Sequence, residues 1–159
     1  MNILTLTSFT IYILYNILTL WKVKKIPNNL SNTYYMWPKW VFPLVILLMV
    51  WPMMPSWLAL TTGTSWQFLP LLTCASATLA ALSPDYLNSN IENRLHSSCV
   101  IAIISMIILL VLAGKFIMFL DILVKLLIIG FLFNKKGFKQ TWVYWLETSL
   151  FLATYISFI

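Results

Sequence analysis

Polar stretches interrupt the chain repeatedly, and between them lie six runs dominated by Leu, Ile, Val, Phe, Met and Trp. The runs cover about residues 3–21, 40–60, 66–83, 95–113, 116–133 and 141–159. Each has roughly the 17–25 residues that a helix rising 1.5 Å per residue needs to cross about 30 Å of hydrocarbon. The pattern predicts an all-α polytopic integral membrane protein, a single domain built as a bundle of six transmembrane helices.

The runs differ in strength. Thr5, Thr7, Ser8, Thr10, Asn16 and Thr19 dilute the first, and Lys22, Lys24 and Lys25 stop it. No Lys or Arg precedes it and no small-residue cleavage site follows, so it is expected to be a retained span and not a cleaved signal peptide. Pro52 and Pro55 fall in the outer part of the second run, where a kink is expected. Only Gly114-Lys115 separates the fourth run from the fifth. That leaves a five-span alternative in which residues 116–133 lie at the interface or re-enter the membrane.

Composition agrees with the runs. Of 159 residues, 61% are hydrophobic and 9% charged, and the mean hydropathy is +0.90. Soluble domains carry about 25% charged residues, so this chain lacks the polar surface to cover a globule in water. The same figures exclude a disordered, collagen-like, coiled-coil or disulfide-scaffold protein. Ten Lys+Arg against four Asp+Glu give a formal charge of +6. With the N-terminus outside, the cytoplasmic loops hold Lys22, Lys24, Lys25, Lys39, Arg94, Lys135, Lys136 and Lys139, and the opposite side holds Lys115 alone. This is the positive-inside bias, and it places both termini outside. Trp21, Trp37, Trp40, Trp142 and Trp145 would mark the inner interface, Trp57 and Trp66 the outer one. The bases form no stripe on a folded face, so nucleic acid is not an expected partner. The expected partners are the lipid bilayer and another membrane protein or a copy of this chain. Size and charge layout suggest a bacterial cytoplasmic (inner) membrane.

Candidate chemistry is sparse. Cys74 and Cys99 lie inside apolar runs at depths differing by roughly 9 Å, which disfavours a disulfide. One histidine cannot build a Cys/His zinc site, and no cofactor is expected. Thr73, Ala77 and Ala81, with Ser76 and Ala80 beside them, form a small-residue face on the third run. Ser98, Ala102 and Ser105 do the same on the fourth. Such faces predict a tight hairpin, with a ligand groove as the alternative. The aromatic and basic stretch from Lys22 to Trp40 reads as an interfacial anchor or a contact for anionic headgroups.

Three ionisable residues fall inside spans. Asp121 and Lys125 are four apart and share a helix face. Lys125 would lie roughly 13 Å and Glu147 roughly 10 Å from the inner boundary. Each charge alone at mid-membrane costs about 2.5–3.5 kcal/mol, so an Asp121–Lys125–Glu147 network is expected, with Tyr144 and Thr154 on the Glu147 face. The network would either hold helices together or make Glu147 a titrating group in a proton or solute path. A second group, Asp85, Glu92 and His96, lies at the cytoplasmic rim. It could serve acid–base chemistry on a lipid headgroup, or Ser89 and Glu92 could be a capping box that starts the fourth helix. No GxSxG, HExxH or phosphate-loop motif accompanies either group. The expected function is therefore a non-enzymatic membrane subunit or accessory factor acting through helix–helix contacts. The alternatives are a small transporter using Asp121, Lys125 and Glu147, or a lipid-modifying enzyme using Asp85, Glu92 and His96.

Overall fold

The structure is a computed structural model, and it describes residues 3–83 and 89–158. Among these residues it is all helical. Helix α1 is Ile3–Val23, followed by a loop and a 3₁₀ turn at Ser31–Met36. Then come α2 (Val41–Val50), a 3₁₀ turn (Trp51–Met53), α3 (Met54–Thr61) and α4 (Phe68–Leu82). The chain continues with α5 (Asn90–His96), α6 (Ser98–Leu112), α7 (Phe116–Phe133) and α8 (Phe138–Phe158).

Four stretches are long and apolar enough to cross a membrane: Ile3–Val23, Val41–Thr61, Asn90–Leu112 and Phe116–Phe133. They point to a multi-pass membrane protein. Two of the six expected spans differ from these. Helix α4 has 15 residues, which at 1.5 Å per residue falls short of the roughly 30 Å of hydrocarbon. Helix α8 has 21 residues, but its Thr, Ser and Glu residues lower its hydropathy. The fourth run starts earlier than expected, at Asn90, because Ser89 caps α5 by accepting the Glu92 N–H at 3.3 Å.

The polar residues that weaken the first run form its buried face. Thr5, Ser8, Tyr12, Tyr15, Asn16 and Thr19 are buried at helical spacing, while Leu14, Ile17, Leu18 and Trp21 point outward. Lipid solvates apolar side chains as well as a protein interior does, so polar groups gain more from finding partners inside. Some partners come from α8, whose Tyr144, Thr148, Ser149, Thr154 and Tyr155 are also buried, and others from Thr33, Trp37 and Ser56. Tyr12 donates to the Thr148 carbonyl at 3.1 Å, and Tyr144 donates to Asn16 Oδ1 at 2.9 Å.

Proline shapes the second span. Pro52 has no N–H to give, and the helix tightens into the 3₁₀ turn at Trp51–Met53. The Met49 carbonyl one turn back receives Tyr155 Oη–H at 3.2 Å and the Ser8 hydroxyl. Helices α4 and α6 share the most extensive contact of any pair. Their small residues meet there, and Ser98 donates to the Ser76 carbonyl at 2.9 Å. Helix α7 packs mainly on α8, where Gly130 lies against the Trp145 ring.

Candidate functional site

The site is built by the loop that follows α1. Asn29 Oδ1 accepts the Asn32 N–H at 2.7 Å, and the Leu30 carbonyl accepts the Thr33 N–H at 3.0 Å. These local bonds, typical of Asn and Thr in turns, fix the backbone of residues 28–31 against α8. The Asn28 carbonyl accepts the Tyr144 N–H at 3.1 Å. The Leu30 N–H donates to Glu147 Oε2 at 2.6 Å, a short, charge-assisted type of bond when the carboxylate is ionised.

The next residue of the loop reaches a different helix. Ser31 Oγ lies 3.1 Å from His96 Nε2, and His96 Nδ1 lies 3.0 Å from the Ala80 carbonyl. A carbonyl can only accept, which assigns a proton to Nδ1; in the neutral ring, Nε2 then accepts the Ser31 hydroxyl. Consecutive residues, Leu30 and Ser31, thus tie Glu147 of α8 to His96 of α5.

Both side chains line one cavity of about 120 Å³ between α2, α4, α6 and α8. Ser31 and Cys99 complete its polar groups, and Phe42, Ile46, Ala77, Ala80, Ala81, Ala102 and Phe151 make most of the remaining wall. A second cavity of about 60 Å³ adjoins it, sharing Glu147, Ala77, Ala102 and Phe151. The small-residue faces of α4 and α6 therefore pack together and also border a hollow. Among the described residues, no three His, Cys, Asp or Glu side chains converge on a metal-sized site. Both cysteines are free.

The Asp121–Lys125–Glu147 network does not form. Lys125 Nζ is 2.5 Å from Asp121 Oδ2, and the two side chains are 67% and 56% exposed. Glu147 faces the opposite side of α8. Trp145 meets α7 at Gly130, and a step of two residues turns about 200° around a helix of 3.6 residues per turn. Similar depth is therefore not enough to bring Glu147 to Lys125. Tyr144 and Thr154 are not its partners either. Tyr144 donates to Asn16, and Thr154 donates to the Leu150 carbonyl at 2.8 Å.

The rim group is also rearranged. Asp85 lies outside the described residues. Glu92 is half-buried on α5, its backbone N–H held by Ser89. His96 turns to α4 and to Ser31. Neither Leu30 nor Ser31 carries a sequence signal of this role, beyond lying in a run dense in turn-forming Asn, Ser and Thr. The arrangement gathers a carboxylate, an imidazole and a hydroxyl around an apolar hollow, with no Lys or Arg in its wall. Compared with known proteins, the chain matches no family, no curated protein and no solved structure.

Proposed function

We propose that this protein is a six-span bundle of a bacterial cytoplasmic membrane, with both termini outside, that works as a non-enzymatic subunit or accessory factor. One observation carries the reading: an exposed ion pair on the outer face of α7. Only Phe119 and Gly130 of α7 are buried. Around Asp121 and Lys125 the face is apolar and open, with Ile117, Val124 and Ile128 exposed. Ionised groups at the centre of a span cost about 2.5–3.5 kcal/mol each, partly offset by pairing. A face that keeps such a pair toward lipid suits a partner helix bearing a complementary polar or charged side chain at that depth.

The test uses a photo-crosslinking residue at Val124 in native membranes. Wild type is expected to crosslink to one defined membrane protein, or to itself, and to co-purify with it at fixed stoichiometry in mild detergent. The double substitution Asp121→Leu with Lys125→Met removes both charges together. It is expected to insert and fold, yet lose the crosslink. A folded wild-type protein that gives only lipid adducts at this position would overturn the proposal.

A further inference from the structure

We propose that the cavity between α2, α4, α6 and α8 binds a small organic ammonium, its charge on Glu147 and its hydrocarbon portion against Phe42, Phe151 and the alanines. This site lies across α8 from the α7 face and does not depend on it. The argument begins with charge. Among the described residues, Glu147 is the one carboxylate in the wall, and no Lys or Arg accompanies it. Its hydrogen bond comes from a neutral backbone N–H, at Oε2. An ionised carboxylate offers about four lone-pair sites, so acceptor capacity remains toward the hollow.

The wall selects against an anion. It has no cationic side chain to meet a phosphate or carboxylate, and the Nδ1 proton of His96 is committed to Ala80. Size narrows the class further. A cavity of about 150 Å³ holds benzene, so 120 Å³ suits about five heavy atoms, the size of n-butylammonium. The hollow persists because Ala77, Ala80, Ala81 and Ala102 stand where larger side chains would fill it. The shared chemistry is a primary ammonium on a short carbon chain, supplied by a free amine or by the aminoethyl headgroup of a lipid.

Cys99 lines the same cavity and serves as a reporter. The purified protein in an uncharged detergent is treated with methyl methanethiosulfonate, and modification of Cys99 is followed by peptide mass spectrometry. A bound ligand slows the reaction by the factor 1 + [L]/Kd, so n-butylammonium at twice its Kd should slow it about threefold. The neutral 1-butanol and the anionic butyrate, at the same concentration, should not. Glu147→Gln retains an acceptor for Leu30 and should abolish the protection. Ala102→Leu, which fills the cavity and leaves Glu147 in place, should abolish it too. Protection without added amine in phosphatidylethanolamine nanodiscs, absent in phosphatidylcholine ones, supports the site and identifies lipid as the source. Equal protection by 1-butanol overturns the proposal. So does protection that survives Glu147→Gln, no protection by the ammonium, or a Cys99 that never reacts.

Discussion

Gly130 offers a sharp test of how α7 is held. A Cβ at this position would lie 2.6 Å from Cδ2 and Cε3 of Trp145 and 3.0 Å from Cγ. Carbon atoms pack at about 3.5–4.0 Å, so alanine would overlap a rigid ring by about 1 Å. Helix α7 has little other support, and relief requires either its displacement or a new Trp145 rotamer. Overpacking of this kind costs about 1–3 kcal/mol. Alanine also improves helix propensity by about 0.8–1 kcal/mol, leaving a net loss of about 0–2 kcal/mol for Gly130→Ala alone. In a Trp145→Leu background the overlap is gone and only the propensity gain remains, so the same substitution should stabilise. Trp145 Nε1 is buried without a hydrogen-bond partner, so removing the indole sacrifices no such bond. Reversible SDS unfolding in mixed micelles, followed by circular dichroism, would give all four corners of the cycle. The expected coupling is about 1–3 kcal/mol, near the upper part of the range for contacting residues. An equal effect of Gly130→Ala in both backgrounds would refute the close approach.

Further substitutions probe the site and a turn. Glu147→Leu leaves the Leu30 N–H without its acceptor and should cost about 1–3 kcal/mol, with faster proteolysis of residues 28–31; Glu147→Gln should cost less. Because Lys125 bonds Asp121 on the far side of α7, Glu147→Gln and Lys125→Met should add to within about 0.3–0.5 kcal/mol; a larger coupling in unfolding measurements would mean that the two residues meet. Gly114 adopts φ +66° in open space, so Gly114→Ala should destabilise by about 1 kcal/mol or more through backbone strain alone. Asparagine there should cost less, and an unchanged melting curve for the alanine variant would contradict the left-handed turn.

Helix positions were legible because each apolar run is bounded by residues that cannot stay in lipid, such as Lys22–Lys25 and Asn134–Lys139. The break at Pro52 was legible for a local reason too, the missing N–H. The grouping of the polar side chains was not. Depth follows from counting residues at 1.5 Å each, and it put Glu147 level with Lys125. Which way each residue faces depends on the neighbours of α8, and those are set by contacts distant in sequence. The same limit hid Ser31 and Leu30, which act through a docked loop. One signal was present and open to the opposite reading. Thr5, Ser8, Tyr12, Asn16 and Thr19 recur every three or four residues, a stripe that reads as weakness on a hydropathy scale and as an interface once helix association in lipid is considered.

That stripe bears on how α8 is held in the fold. By hydropathy α8 is a poor independent span, since Glu147 and a row of hydroxyls interrupt it. Tyr144 and Tyr155 find side-chain partners on α1, while Thr154 bonds its own helix and, among the described residues, Thr148 Oγ1 and Ser157 Oγ are buried without a partner. Tyr155 Oη is 2.6 Å from Ser8 Oγ, and both hydroxyls sit on the Met49 carbonyl beside the 3₁₀ turn. Tyr144 reaches Asn16, which in turn donates to the Tyr12 carbonyl at 2.9 Å. Interhelical hydrogen bonds in membranes contribute about 0.6 kcal/mol each on average, so no single bond holds α8. The row of them, together with the Leu30–Glu147 bond, does so collectively. The loop and α1 are thus part of what makes α8 a stable element, and the cavity beside Glu147 exists because that element is held from the α1 side while Ala77, Ala80, Ala81 and Ala102 of α4 and α6 leave space beside Ile103.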